Sequence, residues 1–326
     1  MRSRLSIFPA LLLVVLAASL LSACGSTSSS GSGGASNLTF KDATGTTVTL
    51  TKQPTRIVCL VGLCEDILAT LGIQPVAVND TLGQDAHYFG AAAKSFAQIG
   101  GGFATPNVED IVKAQPDLVI GIANAHEGLR DALKPVAPLY IMNPISYNDS
   151  IAYLEDIGRL TGHHVQADAA ATTFREHLSQ VVSKSPKSAS TVLIYGSDVN
   201  FNIMTAGSLP GGLLTQVTPY AFAAPGAGSP QASDQEPGAI PSSVEKLLAQ
   251  DPDTLLIASF AFAPGTKPLS QQLAVDPAWS NLKAVKNNRV YEVSPSYYIF
   301  GRGTISLGLA LDDAMTHLYP SVFPAA

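Results

Sequence analysis

Asn107-Val108-Glu109-Asp110-Ile111-Val112-Lys113-Ala114-Gln115-Pro116-Asp117-Leu118-Val119-Ile120 has a counterpart far along the chain. That counterpart is Ser243-Val244-Glu245-Lys246-Leu247-Leu248-Ala249-Gln250-Asp251-Pro252-Asp253-Thr254-Leu255-Leu256-Ile257. In each, a polar residue two positions before a Glu opens an amphipathic helix. Pro-Asp stops the helix seven residues after that Glu, and an apolar, strand-like run follows. Two widely separated copies of one αβ unit predict two similar lobes, each with an exposed Glu near a helix start. A matched pair of surface carboxylates suits a molecule that clamps a ligand and docks on a symmetric partner.

Around the first copy, short strands alternate with short helices. Residues 56–61 read as a buried strand, 65–71 as a helix stopped by Gly72, and 75–79 as a second strand. Residues 118–121 and 138–142 read as further strands, with a helix at 127–133 between them. This alternation predicts an α/β fold with central parallel sheets. Residues 148–182 differ: Ile151, Leu154, Ile157, Leu160, Val165, Ala169, Phe174 and Leu178 keep helical spacing throughout. They predict one long or kinked helix, interrupted if anywhere at Thr161-Gly162. The second lobe opens with a strand at 191–195, loosens over 200–242, and ends with a strand at 289–293 and a helix at 305–317.

The N-terminus has Arg2 and Arg4, an apolar run over 5–20, then Leu21-Ser22-Ala23-Cys24. That is the layout of a secretory signal, too short and wrongly flanked for a spanning helix. Residues 25–36 are almost all Gly, Ser, Thr and Ala, a flexible tether. With Arg2 and Arg4 gone, 17 of the 19 Lys and Arg remain against 25 Asp and Glu, a net charge of −8. No basic patch is interleaved with aromatics, so nucleic acid is excluded as a partner. Cys59 and Cys64 flank a strand-to-helix turn in an exported chain. They either form a disulfide or stay as buried thiols, and two ligands are too few for a structural zinc site.

No nucleophile elbow, phosphate loop, zinc-protease motif or dinucleotide fingerprint occurs, and Gly100-Gly101-Gly102 is a lone glycine run. The expected class is therefore not an enzyme. A lipoprotein hydrolase is the alternative from another class, with His87 or His126 as its base.

Taken together, these segments resemble the substrate-binding lipoproteins of bacterial ABC importers for iron–siderophore complexes, haem and cobalamin. The likeness rests on the unit at 56–72, the two Glu…Pro-Asp segments and the long middle helix. It also rests on Asp276-Pro277-Ala278-Trp279…Asn288-Arg289-Val290-Tyr291 and on Gly301-Arg302-Gly303. The resemblance implies two Rossmann-like lobes joined by one long rigid α-helix, with the ligand cleft between them. The layout is then signal peptide 1–23, lipidated Cys24 and tether 24–36, N-terminal lobe 37–147, connecting helix 148–183 and C-terminal lobe 184–326. It implies a lipid anchor at Cys24 on the outer face of the cell membrane and docking of Glu109 and Glu245 on an ABC permease dimer with its cytoplasmic ATPase. The protein would act as a monomer. One departure stands out: Cys64 precedes Glu65 where the family often has Ser or Thr.

Ligands of open α/β sheets bind beyond the carboxyl ends of the strands. The ligand-binding candidates are accordingly loop residues: His87, Tyr88, Phe103 and His126, with Asn124, from the first lobe. Phe201, Met204, Tyr220, Phe260, Tyr298 and Arg302, with Phe262, come from the second. Aromatics offer flat apolar walls, and Arg302 suits an anionic oxygen. Bare metal capture is disfavoured, because the second lobe has no His before His317. No resident metal or cofactor is expected. An iron(III) chelate, whose chelator already fills the coordination sphere, ranks first, haem second and cobalamin third.

Overall fold

A computed structural model describes residues 38–226, 228–230, 236–260 and 265–325. The signal, Cys24, the tether and Phe262 lie outside the described residues. The chain opens with a hairpin, β1 (Leu38–Lys41) paired antiparallel to β2 (Thr47–Leu50). Then come β3 (Ile57–Cys59), α1 (Gly62–Leu71), β4 (Ala77–Val78), β5 (Ala97–Gln98), the short ladder β6 (Gly101–Gly102) with β7 (Thr105–Pro106), α2 (Val108–Lys113), β8 (Leu118–Ile122), α3 (Arg130–Leu133) and β9 (Leu139–Met142). Strands β3, β4, β5, β8 and β9 form one parallel sheet in the order β5-β4-β3-β8-β9. The expected strands and helices of residues 56–142 all appear, within a few residues of their predicted ends.

The connection is where expectation and structure part. Instead of one helix there are two, α4 (Tyr147–Thr161) and α5 (His164–Lys184). Gly162 breaks the run at φ 77°, a left-handed conformation that costs glycine nothing. The second helix then packs against the first, so closely that a Cβ on Gly158 would lie 2.4 Å from Ala167 Cβ. The apolar spacing runs on across the break only because Val165 and Ala169 happen to fit it; both are exposed, and α5 buries Ala167, Ala171, Phe174, Leu178 and Val181 instead. Periodicity alone therefore reads them as one rod. The 21-residue α5 is the long helix, and it starts at His164.

The second lobe holds β10 (Thr191–Gly196), β11 (Asn202–Met204), α6 (Leu209–Leu214), β12 (Ala239–Pro241), α7 (Val244–Gln250), β13 (Thr254–Ser259), α8 (Leu269–Leu273), α9 (Lys283–Lys286), β14 (Val290–Glu292) and α10 (Thr304–Leu318). Its sheet order is β12-β11-β10-β13-β14. Here β10, β13 and β14 are parallel, but β11 runs antiparallel to both neighbours, so this sheet is mixed. Strands β11 and β12, three residues each, fall in the stretch read as loose; they are too short to show alternation.

The repeated segments end in the same way. Gln115 and Asp251 both take positive φ, 48° and 43°, just before the prolines. Asp117 then accepts from the backbone N–H of Thr55 at 3.0 Å and of Arg56 at 2.8 Å, at the entry to β3. Asp253 accepts from Ser190 N–H at 2.8 Å, at the entry to β10. The Pro-Asp pair thus clamps the neighbouring strand in both lobes, and β8 and β13 each take the fourth place of five.

One apolar core runs through both lobes. It joins Cys59, Ile120 and Met142 of the first sheet to Leu193 and Leu256 of the second through α1, α4, α5 and α10. The last helix lies on α1 and α5; each of its fully buried side chains, such as Leu311 and Met315, contributes about 2 kcal/mol. The N-terminal hairpin is fastened to β9. Ala43 N–H donates to Ile141 O at 2.9 Å, and Asp42 accepts from Ile141 N–H at 3.3 Å and from Arg130. Burial pushes the Asp42 carboxyl up, but its bonds from Thr44 and Arg130 hold it below its ordinary value.

Candidate ligand cleft

Strand ends and turns of both lobes converge on a cavity of about 530 Å³. The end of β3 brings Val61 and Gly62, the end of β4 brings Asn79, Asp80, Thr81 and Leu82, and the β6–β7 turn brings Phe103. From the second lobe come Glu236, Phe260 past the end of β13, Ser296, Phe300 and Arg302. Residues 296–301 form a π-helical turn, closed by Arg302 at φ 62°. Such wide turns re-aim side chains and recur at functional sites. This one stacks Phe300 on Phe260, centroids 5.2 Å apart at 27°, and leaves Phe300 43% exposed. Its backbone crosses the start of α1 closely: a Cβ on Gly62 would meet Phe300 O at 2.6 Å. Beside it, Cys59 and Cys64 are joined in a disulfide, their Cα atoms 5.4 Å apart. It ties the end of β3 to the first turn of α1.

Charge in the cavity is sparse. Arg302 pairs with Glu236, and its Nε donates to Ile299 O at 2.8 Å. Burial raises Glu236 above its ordinary value although Arg302 pulls it down. On the opposite wall Asp80 accepts from Leu82 N–H at 2.8 Å. Behind it lies Glu65, 1% exposed, whose Oε2 accepts from Gly83 N–H at 2.8 Å. Burial, and then Asp80 beside it, push Glu65 up to about 10, so it is a neutral acid at pH 7. The sign follows. A group with a raised folded pKa contributes stability that is full below its unfolded value and lost as pH rises through the folded one. Between pH 4.5 and 7 this loss is about 3 kcal/mol. Glu65→Gln keeps the shape and the neutrality. Thermal melts from pH 4.5 to 9 should show the variant gaining on the parent as pH rises, with the difference vanishing near pH 4.5. Parallel curves would refute this account of Glu65.

Of the sequence candidates, Phe103, Phe260 and Arg302 line the cavity. His87 and Tyr88 stand instead at the seam between the lobes. Tyr297 OH donates to Asp85 at 2.9 Å and lies 3.3 Å from His87 Nδ1, while Tyr88 OH meets Ser306 Oγ at 2.6 Å. His126 is fully buried, with Nδ1 accepting from Ile122 N–H at 3.0 Å and Nε2 facing Phe103 O at 2.8 Å. Burial holds it below its ordinary pKa, so the neutral ring donates from Nε2 and fixes the Phe103 turn from behind. Phe201 belongs to the core of the second sheet. Tyr220 OH bridges Leu193 N–H and Met204 O, and buried Tyr298 donates to Asp313 at 3.0 Å. Met204 and Tyr298 touch only a void of about 10 Å³ behind Arg302, room for at most one water. These five were chosen for their residue types; the fold uses each polar ring to satisfy backbone or carboxylate groups inside the core. Missed were Val61, Gly62, the run from Asn79 to Leu82, Glu236, Ser296 and Phe300. Asp80 and Leu82 follow a strand end directly, a usable signal; Glu236 lies in a stretch without periodicity.

Glu109 and Glu245 are both exposed in the first turns of α2 and α7. Asn107 caps α2 by accepting from Glu109 N–H at 2.9 Å, and Ser243 caps α7. A hydrogen bond from Ser243 holds Glu245 below its ordinary pKa. The two glutamates thus occupy matching places on the two lobes, each on the helix that feeds the fourth strand.

Residues 49–297 match the family profile described as periplasmic binding protein. The chain belongs to that family. This periplasmic binding protein is 28% identical over 273 residues to the Fe(3+) dicitrate-binding periplasmic protein FecB of Escherichia coli, covering 81% of this chain and 85% of that one. It is 26% identical over 314 residues to the iron(3+)-hydroxamate-binding protein FhuD of Bacillus subtilis, covering 90% of each. Its fold matches the crystal structure of the petrobactin-binding protein YclQ of Bacillus subtilis with a TM-score of 0.72 at 18% identity, over 87% of this chain and 99% of the other. Class III periplasmic binding proteins have two lobes, and the shared core along α5 and α10 is how this one holds its lobes together.

Proposed function

We propose that this periplasmic binding protein is the extracytoplasmic solute-binding component of an ABC importer, and that it captures an iron(III)–siderophore complex and delivers it to the permease. The observation that carries the reading is the cavity of about 530 Å³, walled from both lobes by Val61, Leu82, Phe103, Phe260 and Phe300. That size and apolar character suit a compact small-molecule ligand. Among the described residues lining it none is His, Tyr, Met or Cys, so haem would find no axial ligand there. Nor, among the described residues, do three or more His, Cys, Asp or Glu gather to hold a metal ion. Iron in this cleft arrives inside its chelator. Glu109 and Glu245 face arginines of the permease dimer, where a carboxylate and a guanidinium pair through two hydrogen bonds. Among the described residues no helix is long and apolar enough to cross a membrane; attachment falls to a lipid on Cys24. Two acyl chains hold a protein stably where one does not.

The test is calorimetric titration with ferric hydroxamate, catecholate and carboxylate chelates, haemin and cobalamin. One ferric chelate is expected to bind stoichiometrically and submicromolar, and its iron-free form much more weakly. Phe260→Ala, which removes the stack under Phe300, should weaken that binding about tenfold. Saturation by haemin alone, with a new Soret band, would replace the reading.

A further inference from the structure

The cleft is poor in positive charge in a way that discriminates among ferric chelates. Arg302 is the one cation among the described residues lining it, and it is already paired with Glu236. Asp80 adds a second carboxylate on the facing wall. The sequence deepens this poverty. From Lys187 to Lys246 no Lys or Arg intervenes, so the end of β10, the connection to β12 and the whole approach to Glu236 supply no cation. Between Arg56 and Lys113 the only Lys or Arg is Lys94, in a 3-10 turn, and neither it nor His87 lines the cavity.

Ferric chelates differ sharply in net charge. Three catecholates give Fe(III) a net charge of −3, and ferric citrate complexes are also anionic. Three hydroxamates, each singly negative, cancel the metal. Bringing an anion out of water into an apolar cavity is costly unless cations meet it, and here carboxylates balance or outnumber the one guanidinium. A neutral chelate needs only donors for its oxygens. Arg302, Asn79, Thr81 and Ser296 are at hand, and the three phenylalanines cover its apolar surface.

We infer that the cleft selects ferric tris-hydroxamates, neutral or singly positive, against anionic catecholate and citrate chelates. This rests on the iron–chelate reading above and narrows it. The experiment is a titration of the purified protein, at fixed ionic strength, with ferrichrome (neutral), ferrioxamine B (singly positive), ferric enterobactin and ferric citrate. The hydroxamate chelates are expected to bind at least a hundredfold tighter than either anion. Glu236→Gln, which strips the pairing carboxylate from Arg302, should shift the ratio of ferric citrate to ferrichrome affinity tenfold or more toward citrate. Ferric citrate or ferric enterobactin binding the parent protein as tightly as ferrichrome would overturn the charge selection and leave the iron–chelate function standing. Binding of none of the four would overturn both.

Discussion

A chain carrying Glu109→Lys and Glu245→Lys is expected to bind its ferric chelate within twofold of the parent yet to lose at least a hundredfold in chelate uptake. Both side chains are exposed and neither lines the cavity, so neither substitution removes a wall of the site. Their loss to the fold is small, because a first-turn carboxylate contributes only about 0.3–1 kcal/mol through the helix dipole. On the docking proposed above, each Lys would replace an attraction with a like-charge contact at a docked arginine. The matching places of α2 and α7 predict that the two single variants are impaired alike, each about tenfold. Radioactive iron uptake into cells, beside calorimetry on the purified variant, reads both quantities. Normal uptake by the double variant would remove docking from these residues.

Asp66→Ala is expected to cost about 3–5 kcal/mol of stability. Asp66 is fully buried on α1 and accepts from Ile305 N–H at 3.1 Å, from Ser306 N–H at 2.8 Å and from the Ser306 hydroxyl. It therefore caps α10, whose own N-cap position is Gly303 and offers no side chain. Alanine would leave those donors buried without an acceptor, and the cap connects the last helix to the first lobe. Burial pushes the Asp66 carboxyl up to about 6 against the pull of these bonds. Its contribution is full below its unfolded value near 3.8 and is lost as pH rises through about 6. Asp66→Asn keeps one acceptor and should cost about 1 kcal/mol. Urea unfolding at pH 4, where the contribution is still nearly full, separates the three proteins; an Ala variant within 1 kcal/mol of the parent there would refute the cap.

The fold was legible where a backbone rule wrote itself into residue types. Pro-Asp marks a helix stop and a strand clamp at once, and the structure uses Asp117 and Asp253 for both lobes alike. The break between α4 and α5 was harder, because one glycine decides it while eight apolar residues argue for continuity. The site was least legible. Phe260 and Arg302 follow strand ends, and position found them. His126, Tyr220 and Tyr298 drew attention as polar rings, but a polar ring in the core is usually there to satisfy buried groups. Phe300 was passed over for its neighbour Tyr298, because a π-turn shifts the phase of side chains and no spacing rule announces one.

Strand β9 is the outer edge of its sheet, and an edge is where a second chain adds itself. The hairpin denies that opportunity: Ala43 and Asp42 occupy the carbonyl and amide of Ile141, and Arg130 occupies the carbonyl of Leu139 at 2.9 Å. A chain starting at residue 49, where the span shared with its family begins, would bare the amide and carbonyl of Ile141 while Arg130 still held the carbonyl of Leu139. The hairpin thus fills bonding groups of β9 that an added strand would otherwise use, and a version trimmed for convenience would offer them at an open edge.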